Sequence, residues 1–148
     1  MKLYHGSKNK IEYLEKRQAQ KGSVDVPRDE LLDAIYLTPD YGFAVAMAAR
    51  PNGESKIDDI EHKITFEKPE LFNPEENVFI YTIDSEAFPT ENIKHVDDLQ
   101  YAIIGINRIS FSSSEIIKAR KLLDYYELTN WKESNESNNE ISRAFKIR

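Results

Sequence analysis

Tyr4-His5-Gly6-Ser7 and Ala34-Ile35-Tyr36-Leu37-Thr38 are the two stretches on which the fold turns. The first closes an apolar opening, Lys2-Leu3-Tyr4-His5, with a Gly-Ser turn, and reads as a short strand. The second puts a tyrosine in an apolar strand, Ile35 to Leu37, that runs straight into Thr38-Pro39-Asp40. That tripeptide is a helix start: Thr38 caps, Pro39 takes the first helical position and Asp40 favours the positive end. Phe43, Ala44, Met47 and Ala48 then fall on one face at helical spacing, and Arg50-Pro51-Asn52-Gly53 ends the helix.

Between the two stretches the pattern is weaker. Asn9 to Gln20 reads as a helix or an irregular loop, Lys21-Gly22-Ser23 as a turn, and Arg28 to Asp33 as one or two helical turns. Beyond the helix the grammar is β. Glu61 to Phe66 and Val78 to Ile83 alternate, with breaks at Lys68-Pro69 and Asn73-Pro74. Leu99 to Phe111 holds two apolar runs interrupted by Gly105, as in consecutive strands or one bent strand. Ser112 with Glu115 has the form of a capping box. It predicts an amphipathic helix with Ile116, Ala119, Leu123 and Tyr126 on one side and Arg120-Lys121 solvated on the other. From Asn130 the composition turns polar, and Lys132 to Asn139 is expected to be disordered. Ile141, Phe145 and Ile147 either dock back on the body or do nothing. The division expected is a domain over 1–128 and a flexible polar tail over 129–148.

With 148 residues the chain is one domain's worth, and roughly two thirds of its unfolded surface can be buried. Apolar residues at 40% and charged residues at 31% are an ordinary globular balance, so a packed core is expected. A net charge of −6 argues against a protein that coats nucleic acid. No cysteine is present, which removes disulfides, thiolate nucleophiles and Cys-based zinc sites. His5, His62 and His95 lie far apart with no partner at metal-ligand spacing, so no metal is expected. No apolar run is long enough to span a membrane and no signal-peptide layout opens the chain, so the expected location is cytoplasmic.

The ordered pair of motifs, with the alanine-rich helix behind it, resembles the ADP-ribosyltransferase superfamily of the diphtheria-toxin and poly(ADP-ribose) polymerase type. The resemblance covers about residues 1 to 110 and is moderately specific as a pair. Small bacterial members that modify rifamycin antibiotics have nearly this length and spacing. It implies an α+β fold of split antiparallel β-sheets with flanking helices. It implies NAD as co-substrate and transfer of ADP-ribose to a protein, a nucleic acid or a small molecule. A small bacterial or phage toxin or effector with a neutralising partner protein would fit.

By the same resemblance His5 matches the histidine that hydrogen-bonds the adenine-side ribose. Gly6, with Ser7 beside it, lets the backbone approach the nicotinamide carboxamide, and Tyr36 stacks on the ring. The strand that carries the family's glutamate is best matched by Leu99-Gln100-Tyr101-Ala102-Ile103-Ile104, which puts Gln100 at the key position. Glutamine binds a hydroxyl but brings no charge to the departing step, so Asp97 or Asp98 is the alternative carboxylate, whereas Glu115 is accounted for by capping. Met47 stands where many members have a second tyrosine, and Tyr41 or Phe43 would substitute.

Each residue also has a plain reading. His5 is a half-buried strand histidine, Tyr36 fills core, Gln100 faces solvent, Tyr41 and Phe43 pack, and Asp58-Asp59 and Asp97-Asp98 are turn charges. Three functions therefore stand side by side: a mono-ADP-ribosyltransferase, a catalytically silent NAD-binding or protein-interaction module, and a partner-binding domain without a nucleotide pocket. A 2′-phosphotransferase acting on RNA shares the fold, but its paired histidines and arginines are not found here.

Overall fold

The computed structural model describes residues 1–15, 17–18, 33–130 and 144–147. Among the described residues, thirteen strands and one α-helix make an α+β architecture dominated by sheet. The strands are β1 (Lys2–Ser7), β2 (Leu14–Glu15), β3 (Arg17–Gln18), β4 (Asp33–Leu37), β5 (Ser55–Asp58), β6 (Lys63–Phe66) and β7 (Asn77–Asp84). They continue with β8 (Ile93–Asp97), β9 (Gln100–Ile103), β10 (Arg108–Ile109), β11 (Ser113–Lys118), β12 (Glu127–Thr129) and β13 (Ala144–Ile147). The helix α1 is Tyr41–Ala49.

Among the described residues these strands form three larger sheets and one short ribbon, in the orders β1-β7-β11, β3-β4-β9-β8, β12-β6-β5-β13 and β10-β2. Every pairing among the described residues is antiparallel except that of β12 with β6. The first two sheets meet through a bridge between Tyr4 and Thr38. Tyr4 N–H donates to Thr38 O (2.7 Å) and Thr38 N–H donates to Tyr4 O (3.0 Å).

That bridge explains a difference at the start of α1. Thr38 is held by the sheet, so the cap falls two residues later. Asp40 accepts from Phe43 N–H (3.0 Å), while Thr38 Oγ1 accepts from Asp40 N–H (3.0 Å) and shapes the turn into the helix. Nor does α1 have one apolar face. Gly42, Phe43, Ala44, Val45, Ala46, Ala48 and Ala49 are all buried, as befits a helix enclosed on every side. β1 and β7 lie against it, and a 3-10 segment, Ala119–Asp124, closes over it.

The expected helix after Ser112 is a strand. β11 pairs with β7 from Ser113↔Thr82 to Lys118↔Asn77, and Ser112 N–H adds a bond to Thr82 O (2.8 Å). Two causes decide this. β7 has a second edge whose amide and carbonyl groups need partners. The β-branched pair Ile116-Ile117 suits a pleated strand better than a helix. Ala119 and Tyr126 are buried, but Ile116 is 65% and Leu123 50% exposed, so the four residues never form a stripe. Lys121, expected on a solvated face, turns its ammonium toward the Tyr41 hydroxyl (3.3 Å).

Elsewhere the β pattern is found as expected at β6, β7 and β9, and Gly105 takes φ 74° in the break between β9 and β10. β5 is an additional strand, joined to β6 by a turn in which buried Asp58 accepts from Ile60 and Glu61 N–H (3.0 Å each). The described part of Asn9 to Gln20 is not helical: it contains β2 and β3. Lys21-Gly22-Ser23, most of Arg28 to Asp33, and Lys132 to Asn139 with Ile141 lie outside the described residues. Ala144–Ile147 returns to pair with β5, bringing Phe145 opposite Ile57 and Ile147 opposite Ser55.

Two apolar cores flank the first sheet. One gathers α1 with Ile57, Ile64, Phe66, Val78, Ile80 and Leu122. The other gathers Leu3, Leu14, Ile35, Leu37, Tyr81, Ile83, Ile103 and Ile109. No described helix is long and apolar enough to cross a membrane.

Candidate functional site

Beyond the Tyr4–Thr38 bridge, β1 and β4 part. β1 continues along β7, with His5↔Tyr81, Gly6↔Ile80 and Ser7↔Phe79. β4 continues along β9, with Tyr36↔Ala102 and Leu37↔Tyr101. The parting opens a cleft of about 530 Å³, lined by His5 and Ser7, by Ile11 to Glu15, and by Ala34 to Tyr36. This lies within the range of small-molecule sites, roughly 300–1,000 Å³.

Residues opposed across an antiparallel pair share a face. His5 therefore shares the face of Tyr81, while Tyr36 shares the face of Ala102. Gln100 stands two residues before Ala102 on β9, on that same face and diagonal to Tyr36, and is 5% exposed. So His5 and Tyr36 meet in the cleft from the two sides of the split, with Gln100 in the strand beside Tyr36. Asp97 Oδ1 accepts from Leu99 N–H (2.8 Å) and shapes the β8–β9 turn that delivers Gln100; Asp98 is exposed in that turn.

Gly6 has a second reason to be glycine. A Cβ there would lie 2.0 Å from Ala44 O and 3.0 Å from Ala48 Cβ, so α1 presses directly on the β1 backbone. Tyr41, Phe43 and Met47 are engaged in packing α1. Phe43 is buried and Met47 half-buried in the first core. The Tyr41 ring meets Tyr4 and Tyr125 edge-on, with centroids 5.4 and 5.8 Å away, and its hydroxyl donates to Glu115. Glu115 thus caps no helix; from mid-β11 its carboxylate accepts the hydrogen bond of the Tyr41 hydroxyl. Burial, then the bond to Glu115, raises the Tyr41 phenol well above its ordinary pKa.

The resemblance implies that the loop bordering the pocket lies within Asn9 to Glu30; Ile11 to Glu15 of that stretch line the cleft, and what sequence reasoning missed is their anchoring. Buried Tyr81 anchors this wall: its hydroxyl accepts from Ile11 N–H (2.7 Å) and donates to Asn9 O (3.4 Å), while its ring packs on Phe111 at 4.4 Å. Ser7 Oγ accepts from Asn9 N–H (3.1 Å) at the turn into the wall. At the far end β2 pairs with β10, Arg108 contacts Glu15 (3.1 Å), and the guanidinium sits 3.9 Å over the Tyr13 ring. These contacts join residues about seventy to ninety positions apart, for which local periodicity carries no signal. Among the described residues, no three His, Asp or Glu side chains converge as metal ligands. Comparison with known proteins finds no family model, no curated protein and no solved structure that matches this chain.

Proposed function

We propose that the chain is a mono-ADP-ribosyltransferase that binds NAD across the split between β1 and β4. The observation that carries this reading is the meeting of His5 and Tyr36 in one cleft, with Gln100 diagonal to Tyr36 on the adjacent strand. In this reading Tyr36 supplies an aromatic face for the nicotinamide, His5 and Ser7 offer polar groups to the adenosine ribose, and Gln100 hydrogen-bonds the nicotinamide ribose. The glycosidic bond between C1′ and the nicotinamide nitrogen breaks, and its electron pair leaves with nicotinamide. A nucleophile of the acceptor then bonds C1′ and releases its proton. The acceptor is a protein, a nucleic acid or a small molecule.

Gln100 favours a second reading. A neutral amide, buried at 5% exposure, cannot offset positive charge on the ribose as a carboxylate would. On that reading the cleft binds NAD and performs no chemistry.

Incubating the full chain with labelled NAD and a cell lysate separates the two. Transfer predicts nicotinamide release and label on an acceptor, both lost in His5→Ala and Tyr36→Ala variants that still fold. A saturable calorimetric isotherm without release supports the silent module. Absence of any melting-temperature shift at millimolar NAD overturns both, because a ligand of the native state must stabilise it.

A further inference from the structure

We propose that the outer edge of β11 is a dimerisation site, where the strand pairs antiparallel with β11 of a second copy of this chain, Ile116 opposite Ile116. This surface is separate from the proposed NAD site: β11 and β1 are the two edges of the first sheet, and the cleft opens on the β1 side.

β11 is six residues long and has β7 on one side; among the described residues no strand lies on the other. Two backbone bonds fix which of its groups face outward. Ala119 N–H donates to Glu76 O (2.9 Å), continuing the register of Lys118↔Asn77. Along an antiparallel ladder, hydrogen-bonded pairs alternate with non-bonded ones. Ser113, Glu115 and Ile117 therefore bond β7, while Ser114, Ile116 and Lys118 turn their N–H and C=O groups outward. The β1 side agrees: Ser85 N–H donates to Met1 O (2.9 Å), so odd-numbered residues of β7 serve β1 and even-numbered ones serve β11. Two other sheet edges are guarded. β8 carries Lys94 and a register shift between His95 and Asp97, and β12 is three residues long. β11 has no register shift over its six positions and sets Ile116, 65% exposed, among its outward residues.

A second copy fits because the free edge is complementary to itself. With Ile116 opposite Ile116 of the copy, Ser114 falls opposite Lys118 and Lys118 opposite Ser114. Every outward residue then meets an outward residue, and each such pair exchanges two backbone bonds. These residues share one face, so each face of the first sheet runs on into the same face of the copy, as a two-fold contact requires. The side chains agree. Ile116 meets a β-branched apolar partner, and neither lysine opposes a like charge. Glu115 falls opposite Ile117 of the copy, and its carboxylate is drawn back over its own sheet by the Tyr41 hydroxyl on α1. Neighbouring registers are worse. Ile116 opposite Ser114 would set Glu115 against Glu115, and Ile116 opposite Lys118 would set an apolar side chain against an ammonium.

The test is sedimentation of the full chain over a concentration series, with cross-linking through engineered cysteines in a chain that has none of its own. Wild type is expected to pass from monomer to dimer as concentration rises. Ile116→Lys sets two ammoniums opposite each other and is expected to weaken the dimer about tenfold or more. Ile116→Pro removes an outward N–H and no bond to β7, and is expected to do the same. Melting of each variant at a concentration where wild type is monomeric checks folding; if the proline chain is unfolded, the lysine chain decides. In the proposed register the two Ile116 Cα atoms stand about 5.5 Å apart, so oxidised Ile116→Cys forms a disulfide dimer. A Ser114→Cys thiol lies roughly 14 Å from its own copy and does not. A wild type that stays monomeric up to millimolar concentration overturns the proposal, whatever other protein pairs with the edge. So does a dimer that both Ile116→Lys and a folded Ile116→Pro leave unchanged, or one cross-linked through Ser114→Cys and not through Ile116→Cys. None of these outcomes involves NAD, so the NAD reading stands or falls separately.

Discussion

Replacing Gly6 by alanine tests whether the glycine serves α1. The added Cβ would lie 2.0 Å from the Ala44 carbonyl oxygen and 3.0 Å from both Ala44 C and Ala48 Cβ. Ordinary contact begins at 3.4 Å, so α1 would have to retreat from β1 by 1.4 Å, the difference between 3.4 and 2.0 Å. The first two obstacles are backbone atoms in a regular helix, so no rotamer change relieves them. The helix is enclosed by β1, β7 and the Ala119–Asp124 segment, so a retreat disturbs packing on the far side as well. Overpacking of this kind costs about 1–3 kcal/mol. For a domain of this length that lowers Tm by about 3–10 °C. The assay is urea unfolding followed by far-UV circular dichroism, with the midpoint falling at constant slope. A Gly6→Ala chain that unfolds at the wild-type midpoint refutes the packing argument. If that chain also loses NAD binding, the glycine is there for the ligand and not for the helix.

Other substitutions probe the wall, the cap and the buried phenols. Tyr81→Phe keeps the ring on Phe111 but removes the bonds to Ile11 and Asn9; it should cost about 1 kcal/mol and speed hydrogen exchange at Ile11, and unaltered exchange would contradict the anchor. Asp40→Ala should lose about 1 kcal/mol as an N-cap deletion, measured by denaturant midpoint; a larger loss in Thr38→Val would return the cap to Thr38. Burial holds the Tyr41 and Tyr126 phenols above their ordinary pKa. The stability they contribute is therefore fully present below about pH 10, where unfolded tyrosine begins to ionise, and is lost as pH rises further. A Tyr41→Phe, Tyr126→Phe chain should show a flatter fall in Tm between pH 9 and pH 11, and a wild-type slope would contradict the assignment.

What the sequence made legible was local. β1, β4, β6, β7 and β9 follow alternation or apolar runs bounded by turn residues, and α1 follows a cap signal and a Pro-Gly stop. The strand at Ser113–Lys118 was hidden because Ser112 and Glu115 satisfy the capping-box pattern while the deciding partner, the free edge of β7, is far away in the chain. The cap moved from Thr38 to Asp40 for a similar reason: a tertiary bridge to Tyr4 claimed Thr38 first. His5 and Tyr36 could be singled out by residue type and order, and they do share a cleft. The stretch that borders them, within Asn9 to Glu30, follows from the resemblance; its anchors do not, since Tyr81 and Arg108 reach it across long sequence separations.

A titration of the isotopically labelled full chain with NAD, followed residue by residue by NMR, puts the central claim to its most direct test. Saturable shifts concentrated on His5, Ser7, Ile11 to Glu15 and Tyr36 are the predicted result. Unmoved spectra at millimolar NAD, or shifts confined to the Tyr41–Glu115–Lys121 side of α1, would contradict it.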